Sequence, residues 1–323
     1  MFGIGQDIGI DLGTSSVLMS MRGRGVVLHE PSIAVVDRKS RGVVSVGASA
    51  QLMNGRTPTN MIEVHPLSGG AISDYGVTEQ MLRVMLKKVC SGRIFKPAVT
   101  VSVPSGVTEV EKRAVIDAAE CAGAARVATV AEPIAAATGA GVDITRPIGT
   151  MIVDIGGGTT DVAVLSLGEI IVSECIKVAG NSFDDSIMRY IRRTMSLIIG
   201  ERTAENIKKE IGCATVRNED VSVDFKGRSL ASGLPQTASV SGKEICEALT
   251  DDLEKILNAI LSVLENTPPE LSGDISDEGI VITGGSALLY GIDTFVSQAT
   301  GLKVRVADDP ESAVARGLAR MLK

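Results

Sequence analysis

Aromatic side chains are almost missing from this 323-residue chain, which holds five Phe, three Tyr and no Trp. That excludes functions built on stacking platforms for single-stranded nucleic acid or for sugars, and it requires aliphatic cores. Histidine is equally scarce. His29 and His65 form no helical pair and no HExxH frame, so a histidine-built metal centre or catalytic triad is excluded and both read as structural residues. The cysteines, Cys90, Cys121, Cys175, Cys213 and Cys246, are odd in number and never in a CxxC pair. They read as reduced thiols of a cytoplasmic protein, not as a disulfide framework. No uninterrupted apolar run approaches the roughly 18 residues of a membrane span. The opening "MFGIGQD" lacks the basic start and apolar stretch of a secretion signal, so a soluble or peripheral protein is expected. An excess of positive charge is also lacking: 32 Lys and Arg face 39 Asp and Glu, a net charge of −7. Without a basic footprint, direct nucleic-acid binding is not expected.

What the chain does have is alternation. Apolar strand-like runs at 7–12, 17–21, 98–103, 151–155, 161–166, 170–178, 279–283 and 302–306 are interleaved with helical patterns, the signature of α/β layers. Thr108 with Glu111 and Ser241 with Glu244 form capping boxes that open helices. Asp309 followed by Pro310 predicts the start of the last helix. The length suits about two domains.

An internal echo organises these elements. "IGIDLGTSS" (8–16) and "MIVDIGGGTTD" (151–161) each run from an apolar strand, through an Asp at its end and a glycine turn with hydroxyls, to another apolar strand. The repeats lie about half a chain apart and predict two like-folded halves facing each other. The Ala/Gly-rich segment 131–142 between them reads as a closely packed connecting helix. Segments 32–75, with turns and short strands, and 182–240, mostly helical and then polar, read as insertions.

A strand–turn–strand with small residues lets backbone N–H groups surround phosphate oxygens. Gly13, Gly156, Gly157 and Gly158 fit that role, and Thr14, Ser15, Ser16, Thr159 and Thr160 add hydroxyl donors. Asp11 and Asp154 stand where a carboxylate can hold the water shell of Mg²⁺, which characteristically takes few carboxylates plus phosphate and water. A third glycine element, "IVITGGSALLYG" (280–291), follows a strand and predicts a helix from about Ser286. There Gly284 and Gly285 leave room for a nucleoside at a helix N-terminus. Glu205 and Lys208 lie one turn apart on one helix face, placed for a ribose and a base edge or for a plain surface ion pair. Glu132, opening the connecting segment before Pro133, can orient or deprotonate an attacking water, or simply complement a helix start.

In that order, "IGIDLGT", "AEPIAAATGAG", "VDIGGGTTDVAV" and "ITGGSALLYGID" resemble the nucleotide signature of the actin, sugar-kinase and heat-shock-chaperone ATPase superfamily. "NGRTPTNMIEVHPLSGGAISDYGVTEQML", "RAVIDAA", "IGERTAENIKKEIG" and "NTPPELSGDI" narrow the resemblance to the MreB family of bacterial actins, over nearly the whole chain. The resemblance implies an actin-like fold of two duplicated, ribonuclease H-like halves with smaller inserted subdomains. Residues 1–31, 76–141 and 307–323 would form subdomain IA, 32–75 IB, 142–181 and 241–306 IIA, and 182–240 IIB. ATP and Mg²⁺ would lie in the cleft between them.

By the same resemblance Thr14, Ser15 and Ser16 form the first phosphate loop and Gly156 to Thr159 the second. Glu205, Asn206, Ile207 and Lys208 belong to the adenosine-contacting helix, Gly284, Gly285, Ser286 and Ala287 to the adenosine loop, and Glu132 activates water. The family usually has Ala-Asn where Ser15 and Ser16 stand, Glu at Ala131 and Asp161, and Gly at Ser286. The implied activity is slow ATP hydrolysis coupled to polymerisation into paired protofilaments beneath the cytoplasmic membrane, organising the cell-wall elongation machinery. Ile94 and Phe95, between Arg93 and Lys96, are the candidate membrane contact, with packing into the protein's own core as the alternative. The same core also carries small-molecule kinases and plasmid- or organelle-positioning filaments. A kinase would need an acceptor pocket, for which this compact, aromatic-poor chain offers little.

Overall fold

The computed structural model describes residues 7–322, apart from 54, 91–95, 218 and 220. The membrane-contact candidates Ile94 and Phe95 therefore lie outside the described residues.

Two five-stranded sheets dominate, and they share one plan. In the first, the central strand Ile8–Leu12 pairs antiparallel with Ser16–Met21, which pairs with Gly25–Pro31. On its other side it runs parallel to Ala98–Val103, followed by Arg126–Ala131. In the second, Thr150–Ile155 pairs antiparallel with Thr160–Ser166 and then Glu169–Ile176, and parallel with Ile280–Thr283 and then Val304–Val306. The echo in the sequence is thus a duplicated topology. The central strands read as near-continuous apolar runs because helices cover both faces of each sheet.

Helices Tyr75–Val89 and Glu109–Ala122 pack on the outer face of the first sheet, and Gly180–Met195 and Gly242–Glu265 on that of the second. Both expected capping boxes form, Thr108 with Glu111 and Ser241 with Glu244. Between the sheets lies one helix pair. Glu132–Gly139, the connecting helix, packs on the second sheet and against the C-terminal helix Ala313–Met321, which also lies against the first three strands of the first sheet. The two helices meet at glycines: a Cβ on Gly317 would sit 1.8 Å from the Ala135 carbonyl oxygen, and one on Gly139 would sit 1.7 Å from that of Ala313. Small residues are what permit backbones to approach this closely.

The polar part of 182–240 is an antiparallel hairpin, Ser222–Ser229 with Pro235–Ser241. Its inner face, Val223 and Phe225 with Ala238 and Val240, packs on the core of the second half, while the alternate residues face solvent. No regular helix starts at Ser286. Gly285–Leu288 is a single 3₁₀ turn, and the helix is Ile292–Thr300. Likewise Pro310–Ser312 is a 3₁₀ turn, and the last α-helix begins at Ala313. His29 and His65 are exposed rather than core residues.

Candidate functional site

The two glycine hairpins face each other at corresponding ends of the two central strands. A Cβ on Gly157 would fall 2.0 Å from Ser15 Oγ, and one on Gly158 2.3 Å from Thr14 Oγ1. The paired loops therefore need glycine on one side and short hydroxyl residues on the other. Ser15 Oγ donates to Asn181 Oδ1 at 2.9 Å, bridging the halves. Asn181 N–H in turn donates to the Gly157 carbonyl at 2.8 Å, and Gly180 N–H to that of Gly156 at 3.1 Å. This docks the N-terminus of helix Gly180–Met195 on the glycine turn, where its partial positive charge favours anions. Ser286 Oγ donates to the Gly156 carbonyl at 2.8 Å, so the third glycine element joins the same cluster. The Gly70 N–H donates to Thr14 Oγ1 at 3.2 Å, contributing a segment from the first insertion.

Behind the loops four carboxylates converge: Asp11, Glu132, Asp154 and Asp161. Ser102 Oγ donates to Asp11 at 3.2 Å, and Thr283 Oγ1 donates to Asp154 at 2.8 Å. Asp161 accepts from the Ser105 N–H at 2.8 Å, from the Ser105 hydroxyl and from the Cys175 thiol at 3.2 Å. Because Ser105 follows a strand of the first sheet, this is a second bridge between the halves. Burial raises Asp11 to about 6 and Asp154 to about 7, the second also pushed up by Asp11 and Asp161. Glu132 is held well above the usual carboxylate range by burial, then by the charges of Asp161, Asp11 and Asp154. No lysine or arginine contributes to these shifts. A buried negative cluster without a counter-charge is unfavourable alone and suits a cation. Its oxygen-only donors fit a hard divalent ion. Among the described residues no three or more His, Cys, Asp or Glu side chains form a metal cage of their own, which leaves coordination to be completed by phosphate and water.

The residues expected on the adenosine side are more dispersed. Glu205 pairs with Lys209 at 2.7 Å, not with Lys208 as the surface ion pair considered from the sequence would have it. Lys208 Nζ lies 2.8 Å from Asp184 Oδ2 and 2.8 Å from the Gly180 carbonyl, tying its helix to the one docked on the glycine turn. Asn206 is exposed, whereas Ile207 and Ala287 are buried in the core of the second half and offer only backbone to a ligand. Asn181, Ser105 and Asp184 were missed because each acts across a distance in sequence. The only local signal was "AGNSFDD", a small-residue helix start directly after a strand.

The glycine loops can be tested through their bridge. Ser15→Ala removes the one hydroxyl reaching Asn181, a bond typically worth about 1 kcal/mol. Nucleotide affinity should fall about fivefold in a fluorescent-ATP titration, with the thermal midpoint nearly unchanged. A loss of folding instead would show that the bridge is structural.

Comparisons with known proteins agree over nearly the full length. The family model for MreB/Mbl protein matches residues 5–323. The cell shape-determining protein Mbl of Bacillus subtilis is 47% identical over 322 residues, covering 98% of this chain and 96% of its own. The cell shape-determining protein MreB of Escherichia coli is 44% identical over 323 residues, covering 98% and 93%. Among solved structures, MreB5 of Spiroplasma citri bound to ADP superposes with a TM-score of 0.93 at 39% identity, covering 97% of this chain and 95% of that one. The MamK double helical filament superposes at 0.83 with 22% identity, covering 98% of each chain, a likeness of fold. No described helix is long and apolar enough to cross a membrane.

Proposed function

The chain belongs to the MreB/Mbl family, and from that premise we propose that it is an actin-like cytoskeletal protein that binds ATP with Mg²⁺ and hydrolyses it slowly. We further propose that it polymerises into paired protofilaments on the inner face of the cytoplasmic membrane and helps determine cell shape with the cell-wall elongation machinery. The observation that carries this is the pair of glycine hairpins from duplicated halves, bridged through Ser15–Asn181 and Ser105–Asp161 over one carboxylate cluster. That Spiroplasma citri MreB5 is solved with both ADP and AMPPNP supports a nucleotide as the ligand.

Backbone N–H groups of Gly13 to Ser16 and Gly156 to Thr159 hold phosphate oxygens, with Thr14 and Thr159 adding hydroxyls. Asp11 and Asp154 hold the water shell of the cation. Glu132 accepts the proton of the attacking water. Gly284, Gly285 and Ser286, with Glu205, Asn206, Ile207 and Lys208, line the nucleoside end. Bound ATP would supply the γ-phosphoryl group, and its Mg²⁺ the positive charge that offsets the carboxylates. Nucleotide-dependent closure of the halves reshapes the outer surfaces, coupling ATP to subunit contacts.

Light scattering with ATP, with ADP and without nucleotide tests this: growth of scattering with ATP is expected. A protein that stays monomeric in all three, also with lipid, overturns the filament. For the membrane, burying Ile94 and Phe95 supplies roughly 1.5–3 kcal/mol each, marginal for one subunit but multiplied along a filament. Changing both to Ser should abolish pelleting with liposomes while ATP binding persists. Unchanged pelleting removes these two residues from the contact.

A further inference from the structure

The nucleotide loops occupy one end of the first sheet, and strand register defines what gathers at the other. Ile8 pairs with Met21 and with Val99, Arg126 pairs with Ala98, and Met21 pairs with Gly25. The turn Arg22–Arg24, the approach to Ala98 through Lys96, and Arg126 therefore share one end, all four basic side chains exposed. The C-terminal helix finishes there too. Between it and the turn lies a cavity of about 480 Å³ lined by Arg22, Gly23, Arg316, Arg320 and Leu322, with no acidic side chain among the described residues of its wall.

Two of these arginines are held in place from behind. Arg316 Nη2 donates to the Gly139 carbonyl at 3.2 Å and to that of Asp308, and Arg320 Nη1 donates to that of Thr138. Residues 138 and 139 end the connecting helix, whose last carbonyls favour cations. Arg316 also has Asp309 at 3.7 Å from Nη1, and its buried Nε has no partner. Arg316 therefore offers an anion its Nη1 alone, while Arg320, anchored through Nη1, keeps Nη2 and Nε as donors. Arg22 faces the cavity from the opposite wall. In a chain of net charge −7, such a convergence opposes the overall field. Half-exposed Met321 adds an apolar edge.

We propose that this basic end is a headgroup site for an anionic phospholipid. The cavity between Arg22, Arg316 and Arg320 receives one headgroup phosphate, and Arg24, Lys96 and Arg126 lie against neighbouring headgroups. Asp7, at the start of the central strand, is an acid at this end that opposes the attraction. The proposal rests on the membrane-surface reading above and makes it selective for lipid charge. The wall arginines explain the selectivity: guanidinium matches phosphate geometry through paired N–H donors, and each basic group near an anionic surface contributes to attraction that salt screens.

The test is co-sedimentation of polymerised protein with vesicles of phosphatidylcholine alone or mixed with phosphatidylglycerol. Wild-type protein is expected to pellet with the anionic vesicles and to be released by salt. Arg22→Glu with Arg24→Glu, both in an exposed turn, should weaken that partition about tenfold with light scattering unchanged. Arg22→Lys with Arg24→Lys should retain most of it. Equal pelleting of the Glu variant overturns the headgroup site while the membrane reading stands. Failure of wild type to pellet with either vesicle overturns both. Displacement of the filaments from vesicles by a short DNA duplex would assign the basic end to nucleic acid and overturn the lipid assignment.

Discussion

Glu132→Gln should abolish most ATP hydrolysis, lowering turnover by about 10²–10⁴-fold, the usual contribution of a positioned base. Nucleotide affinity should remain, because no loop backbone or hydroxyl is touched. The same change should raise the thermal midpoint of the nucleotide-free protein. Burial, and then the charges of Asp161, Asp11 and Asp154, penalise an ionisable group at position 132, so folding must hold a proton there that the unfolded chain would release; a neutral amide of the same shape escapes that penalty. Reduced turnover with a raised midpoint cannot come from damaged folding. Phosphate-release kinetics beside a thermal melt check both. The pH profile adds a sign. A base works when ionised, and burial with three like charges holds the proton on Glu132, so turnover in the wild type should rise from mildly acidic to mildly alkaline pH. A Gln variant as fast as wild type would remove Glu132 from the chemistry.

Gly317→Ala should destabilise the whole protein by about 3 kcal/mol or more. Alanine gains about 1 kcal/mol over glycine in a helix interior. Against that gain, the new methyl would stand 1.8 Å from the Ala135 carbonyl oxygen and 2.6 Å from its carbon, with Gly139 N at 3.0 Å. These are backbone atoms of a packed helix, so the two helices must separate. Because that pair joins the first sheet to the second, the loss should appear in nucleotide affinity as well as in urea unfolding. Gly273→Ala is the control. It lies in helix Pro269–Glu278 with open space around it, so there the propensity gain acts alone and stability should rise by a few tenths to about 1 kcal/mol. If both variants shift in the same direction, close helix packing is not what fixes Gly317.

Much of the site was legible because its chemistry is local. The run from strand to Asp to glycine turn is a contiguous pattern, and its recurrence at 8–16 and 151–161 exposed the duplication before any coordinates. Capping boxes at Thr108 and Ser241 were legible for the same reason: cap and partner are three residues apart. The hairpin at 222–241 did carry a local signal, the alternation of Val221, Val223 and Phe225 with polar residues, but the polar composition of the rest of the segment masked it. The helix expected at Ser286 stops as a 3₁₀ turn because Leu289 leaves helical geometry for an extended one, and the regular helix starts only after Gly291, left-handed at φ 72°.

By itself, then, the sequence determined the α/β class, the doubled grammar, the two glycine turns and the family resemblance, all written in neighbouring residues. Only tertiary structure decided which distant groups meet. It brought Ser15 to Asn181 and Ser105 to Asp161, turned Lys208 onto Asp184 and Ile207 into the core, and gathered arginines 22, 316 and 320 around one cavity. The physical reason is that hydrogen bonds, ion pairs and burial depend on distances set by sheet register and helix packing. Those distances carry no signature in the local order of residues.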